Sequence, residues 1–205
     1  MAAIVWIHHA SVLLKGEKTV YIDPWKLKQA EPADLVLITH DHYDHLSTED
    51  LERVAQAETE ILVPEPAVKK LRGVKGKIRG VRAGMQLTAA GLGIEVVPAY
   101  NVGKAFHPKS AGHVGYVVTI DGERIYHAGD TDRTAEMKGL KPDVALVPVG
   151  GTYTMDAKEA AQAVADLQAR RAIPIHYGDI VGGAADAAEF KKLCKVPVEI
   201  LEPRD

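Results

Sequence analysis

Short apolar blocks, punctuated by glycine, proline and aspartate, recur along the whole chain, and most have the length of strands rather than helices. Residues 3–7, 11–14 and 19–22 are the first three, with Gly16 as the turn residue between the last two. Leu35-Val36-Leu37-Ile38, with Pro32 upstream, is an unbroken apolar run that predicts a buried strand. Residues 61–63, 84–87 and 94–97 follow. Residues 113–120 and 123–128 flank Asp121-Gly122, the dipeptide of a tight hairpin. Residues 144–148, 172–178 and 198–201 predict the remaining strands.

The helical period is rarer. Residues 48–57 put Leu51, Val54 and Ala55 on one face, with Ser47 as N-cap, Asp50 at the capping-box position and Leu46 able to staple onto Leu51. Residues 65–71 predict a second, short helix. Asp156 and Glu159 have capping-box spacing ahead of a stripe of Ala157, Ala160, Ala161, Val164 and Leu167. An alanine-rich helix falls near residues 184–193. Residues 98–112 form a long loop with Asn101, Phe106 and His107, and loops of that length in compact domains are often functional. Strands and a helix are thus followed by strands and helices again, without a coherent repeat of 20 to 50 residues.

The chemistry concentrates where the strand at 35–38 ends. His40-Asp41-His42-Tyr43-Asp44-His45 offers three imidazoles and two carboxylates within six positions, between a strand and a helix cap that hold it rigid. Neutral imidazole with carboxylate suits a borderline divalent ion such as zinc, while manganese or iron would suit the carboxylates. A lone histidine is usually structural; His-x-His-x-Asp-His at a strand end predicts a metal site.

This stretch resembles the signature of the metallo-β-lactamase-fold hydrolases, and Tyr43 and Leu46 look most like the branch with L-ascorbate phosphate lactonase and N-acyl-phosphatidylethanolamine phospholipase D. The resemblance extends over nearly the whole chain. Gly129-Asp130-Thr131 is similar to the family's next motif, and Pro174-x-His176-Tyr177 to its last. It implies an α/β fold, the four-layer αββα sandwich, and two divalent ions about 3.5–4 Å apart sharing a hydroxide. His40 and His42 would hold one ion, Asp44, His45 and His176 the other, with Asp130 bridging. The third ligand of the first ion is open between His107 and His113. His107 is favoured because a loop residue can swing in. His127, three residues before Asp130 on a strand, would face away. His9 matches the histidine of a family Gly-His pair, with His8 where glycine would stand, and its reading stays divided between a catalytic place beside the ligands and a surface turn. Asp23-Pro24 resembles a family Asp-Pro beside the metal loop, so Asp23 either orients a ligand or ends a strand.

Composition narrows the rest. At 205 residues and 46% hydrophobic, the chain predicts one domain over residues 1–205. A single cysteine, Cys194, allows no internal disulfide, fits a reducing compartment and reads as a small buried hydrophobe on the last helix. No apolar run approaches a membrane span and no signal core follows a basic start, so the expectation is a cytoplasmic protein without a membrane. A net charge of −3 carries no global nucleic-acid footprint. Between Pro66 and Ile94, however, there are seven bases and no acid. A solvated face is the default for them, and a nucleic-acid contact the alternative, with no aromatics interleaved to support it. The resulting expectation is hydrolysis of an ester, lactone or phosphodiester bond of a small substrate. A nuclease and a non-catalytic metal-binding protein are the alternatives. Neither Gly-x-Ser-x-Gly nor a phosphate-binding Gly-Lys-Ser/Thr competes. Tyr43, Phe106, Tyr153 and Tyr177 are the expected pocket residues.

Overall fold

A computed structural model describes residues 1–204. The strands form two six-stranded sheets. The first contains β1 (Ala3–His8), β2 (Ser11–Lys15), β3 (Thr19–Ile22), β4 (Leu35–Leu37), β5 (Glu60–Pro64) and β6 (Lys77–Val81), side by side in chain order. The second contains β7 (Gln86–Ala89), β8 (Leu92–Pro98), β9 (Val114–Ile120), β10 (Glu123–His127), β11 (Val144–Pro148) and β12 (Arg171–Ile175), again in order. In each sheet an antiparallel meander gives way to parallel strands, β3 to β6 in one and β10 to β12 in the other. Helix α1 (Thr48–Val54) packs on the first sheet, and α2 (Ala157–Leu167) and α3 (Ala184–Leu193) on the second. This is the four-layer αββα sandwich of the metallo-β-lactamase fold.

Strand alternation builds the layers. Val12, Leu14, Val20, Ile22, Leu35, Leu37 and Leu62 point into the core between the sheets. Their neighbours Leu13, Tyr21, Val36, Ile61 and Val63 point to the other face, where Leu51 and Val54 of α1 cover them. Burying each of those two helix side chains contributes about 1.5–3 kcal/mol. Parallel strands also put their carboxyl ends on a common rim, and the residues that follow β3, β4, β10 and β12 come together there.

Several sequence expectations shift. Helix α1 stops at Val54 because Ala55 takes extended angles and closes the last turn onto Leu51 O, while Gln56 N donates to Thr59 Oγ1. Ser47 caps α1 by accepting from Asp50 N, but the Asp50 carboxylate accepts instead from Lys26 N and Leu27 N and staples a distant loop. Glu159 likewise leaves its helix to accept from Arg133 N. Residues 198–201 make no strand. Glu199 N and Ala172 N bond across at 3.0 Å each, the latter to Pro197 O, and Pro197 has no N–H with which to extend the ladder. The unforeseen strand β6 lies at a sheet edge inside the basic stretch, where exposed Lys77 and Arg79 guard an unpaired backbone. Cys194 caps α3 and is half-buried. No helix among the described residues is long and apolar enough to cross a membrane.

Candidate metal centre

The loops at the rim converge on Asp130. Its Oδ2 lies 3.1 Å from His176 Nε2 and 3.3 Å from His107 Nε2, and its Oδ1 lies 3.3 Å from His45 Nε2. His40 Nε2 is 3.9 Å away. Gly129, at φ +64, turns the chain here so closely against the start of β9 that a Cβ on it would meet Val114 O at 2.9 Å. On one side of Asp130, single donor atoms of His9, Asp44, His45 and His176 all fall within 4.8 Å of one another; on the other side those of His40, His42 and His107 do so. The loop from Asn101 thus delivers His107 to His40 and His42. His113, its rival, packs its ring tilted against that of His40 at 4.7 Å, but brings no donor atom into this group, and its Nδ1 has no partner.

His9 stands in the Asp44 group rather than on a surface turn. It is buried, and its Nε2 is 3.2 Å from Asp44 Oδ2 without the alignment of a hydrogen bond. Asp44 and His176 separate it from the cavity, so it does not line the space a substrate could reach. His9, Asp23 and His176 all hold left-handed backbone angles, with φ of 52°, 48° and 59°. Such conformations cost about 1–2 kcal/mol each outside glycine and persist where surrounding structure over-determines them, often at functional sites. His176 N donates to His9 O and Trp6 Nε1 donates to the same oxygen, so both chain reversals are locked together.

Behind the donors lies a shell of acceptors that sets their tautomers. Fully buried Asp23 accepts from Thr39 N at 2.7 Å, from the Thr39 hydroxyl at 2.6 Å and from His45 Nδ1 at 2.7 Å. With its proton committed to Asp23, the Thr39 oxygen accepts from His40 Nδ1 at 3.0 Å. His107 Nδ1 lies 3.2 Å from both Asn101 Oδ1 and the carbonyl of Tyr153, which can only accept. Nδ1 of each of these three rings therefore carries the proton that bonds its acceptor, and Nε2 is the nitrogen turned toward Asp130 and open to a metal. Asn101 is held in turn by donating to Asp132 and Tyr153 O, and buried Asp132 also accepts from Lys104 Nζ at 2.6 Å. Asn101 enters a sequence reading only as a member of the long loop, because a neutral amide is a poor substitute for imidazole, and Asp132 escapes it, since two positions after Asp130 it looks like any turn acid.

The electrostatics favour a cation. Burial alone would raise the Asp130 pKa, but His176 and His45 outweigh it and hold the carboxyl well below the usual range. Asp44 is likewise held low, against its burial, by His45 and His9, whose Nε2 atoms lie 3.5 and 3.2 Å from its Oδ2. Burial keeps His9, His40 and His107 below the ordinary imidazole value, hence neutral, the form that ligates. Burial and then the nearby His107 push His113 down to about 4. At His45 burial is overcome by Asp130 and Asp23, so a positive charge is drawn to this point. Buried nitrogens with no partner, His45 Nε2, His107 Nε2 and His9 Nε2, and the orphaned Asp130 Oδ1 are what a bound divalent ion would satisfy. The donor set fits a metal.

His127 is a satisfied core residue: its Nε2 donates to Ala10 O and its Nδ1 accepts from Gly129 N, which supports the Asp130 turn. His8 pairs with Asp179 away from the cluster. A cavity of about 830 Å³ opens over the donors, and Tyr43, Phe106 and Tyr153 line it as expected. Tyr177 does not. It is buried and stacks on Trp6 at 4.8 Å, because the residue after His176 points back to the core side of the rim.

The sequence profile described as "Beta-lactamase superfamily domain" matches residues 3–176. A UPF0173 metal-dependent hydrolase of Methanoregula boonei is 38% identical, over 92% of this chain and 87% of its own length. One from Aeropyrum pernix is 34% identical, over 99% and 96%. This chain belongs to that family of metal-dependent hydrolases. Among solved structures, a metallo-hydrolase of the hyperthermophilic archaeon Ignicoccus hospitalis superposes on the hydrolase with a TM-score of 0.83 at 28% identity, covering 100% of this chain and 96% of the other. The relatives span the same layers, so the hydrolase's rim of histidines and aspartates lies within a shared scaffold rather than on an addition to it.

Proposed function

We propose that this hydrolase cleaves an ester, lactone or phosphodiester bond of a small substrate at a site for two divalent ions, zinc being the best match to an imidazole-rich set and manganese or iron the alternatives. His40, His42 and His107 would hold one ion, and Asp44, His45, His176 and His9 the other. The observation that carries this reading is the position of Asp130, whose two oxygens face donors of both groups. Ions held there would supply Lewis-acid polarisation of the substrate oxygen and would lower the pKa of a bound water to about 7.

The chain's own groups do the rest. Asp44 and Asp130 remain ionised and line the cavity floor, where they accept the hydrogen bonds of an attacking water and aim its lone pair upward. Asp23 and Asn101 hold the Nδ1 protons of His45 and His107, so that Nε2 is the nitrogen each ring would offer an ion. Elemental analysis of protein reconstituted with zinc or manganese should return two ions per chain. Protein that takes up none would refute the reading.

A nuclease finds little support. Of the seven bases of the 69–82 stretch, Lys70 alone reaches the cavity, and its Nζ is 2.6 Å from Asp41 Oδ2.

A further inference from the structure

Most exposed large apolar side chains of the described residues are scattered singly, as on any protein surface. Three are not. Tyr43, Phe106 and Ile180, exposed by 69%, 49% and 38%, come from the separate loops after β4, β8 and β12 and meet at the mouth of the cavity over the donors. Leu46 and Tyr153 carry the same apolar surface inward, and Phe106 rests edge-on against Tyr153 with centroids 4.8 Å apart. Apolar groups brought by three separate loops to one opening form the kind of exposed patch that marks a binding surface rather than a requirement of the fold.

Charge argues the same way. Lys70 is the single cation on the cavity wall, and it is neutralised by Asp41, both at Oδ2 and at the carbonyl oxygen, 3.1 Å away. A substrate with several negative charges would find no unpaired cationic side chain beside the donors. A cavity of about 830 Å³ is also the size that encloses a small organic ligand.

We infer that the substrate is an uncharged ester or lactone whose acyl or aryl group is apolar and lies against Tyr43, Phe106, Tyr153 and Ile180. The placement of the scissile carbonyl over the donors rests on the hydrolase reading above; the apolar wall stands without it. Water leaves the wall when the apolar group enters, so affinity should grow by up to about fourfold for each methylene fully buried.

The test titrates metal-reconstituted protein calorimetrically with acetate, butanoate and octanoate, and in parallel follows turnover of the matching p-nitrophenyl esters. Octanoate should bind at least tenfold more tightly than butanoate, somewhat short of full burial because the mouth is open. Phe106→Ala and Ile180→Ala, at exposed positions that leave the core untouched, should each lower the octanoate-to-acetate ratio by at least threefold. Chain-length dependence without turnover of any ester would support the apolar wall and count against the hydrolytic bond class. Turnover of the esters with no chain-length dependence, or tighter binding of phenyl phosphate than of octanoate, would overturn the inference and leave the hydrolase standing.

Discussion

Replacing Asp23 by Asn tests how far the metal centre depends on a carboxylate that would itself touch no metal. The change preserves shape, and Asn tolerates the left-handed φ of 48° as Asp does, so the backbone stays where it is. The amide oxygen can keep the 2.7 Å bond from Thr39 N. The amide NH2, however, now meets the Thr39 hydroxyl and His45 Nδ1, both of which donate to Asp23 in the wild type. To escape donor–donor contacts, His45 must move its proton to Nε2, and Thr39 must turn its hydroxyl toward His40 Nδ1, forcing His40 to do the same. One atom exchanged thereby places a proton on a nitrogen of each donor group. Loss of such an orienting partner lowers metal affinity about 10–100-fold. Exchanging charge-assisted for neutral hydrogen bonds at a fully buried site costs about 1.5–3 kcal/mol, which for a chain of this length lowers the melting temperature by about 3–12 °C. Zinc affinity would be measured by competition with a chromophoric chelator, and the tautomers by imidazole nitrogen resonances of the metal-free protein. A variant with the melting temperature lowered but zinc affinity within twofold of wild type would refute the reasoning, reducing Asp23 to a strand-end residue.

Asp130→Ala should abolish hydrolysis and leave the melting temperature within a few degrees, because a rim carboxylate carries little core energy; activity within a few-fold of wild type would make Asp130 a turn residue. His107→Ala should lose about one metal equivalent, whereas His113→Ala should show only a 10–100-fold weakening, and the reverse pattern would assign the ligand to the strand start. Gly115→Ala would press a Cβ to 2.6 Å from His127 O and 2.7 Å from Ala128 O, backbone atoms that cannot swing aside, so about 1–3 kcal/mol of stability should be lost in urea titration. An unchanged midpoint would show that β9 and β10 can separate. Lys69→Glu with Lys75→Glu should leave turnover of a small ester unaltered, and any salt-dependent RNA affinity lost with them would favour the nuclease alternative.

Local order was legible in the sequence because it rests on rules that act within a few residues. Short apolar blocks marked β2, β3, β5 and both arms of the Asp121-Gly122 hairpin, and the Ser47 and Asp156 caps marked helix starts. His-x-His-x-Asp-His was legible for the same reason, four donors on one short connection. Residues matched to family motifs, Asp130 and His176, lie at strand ends, as the resemblance implied. What the sequence could not decide is everything that depends on which loops meet. His9 belongs with Asp44 and His176 because β1 and β12 lie close enough for His176 N to bond His9 O. His107 rather than His113 brings a donor atom to His40 and His42, because Asn101 and Tyr153 O fold the loop inward. Asp23 became a hub only when Thr39 and His45 were brought to it from the next strand's end, and Tyr177 left the pocket because its ring found Trp6. Periodicity and capping are set by neighbours along the chain, but a candidate metal centre assembled from eight positions at strand ends and in loops is set by sheet packing, a property no local pattern encodes.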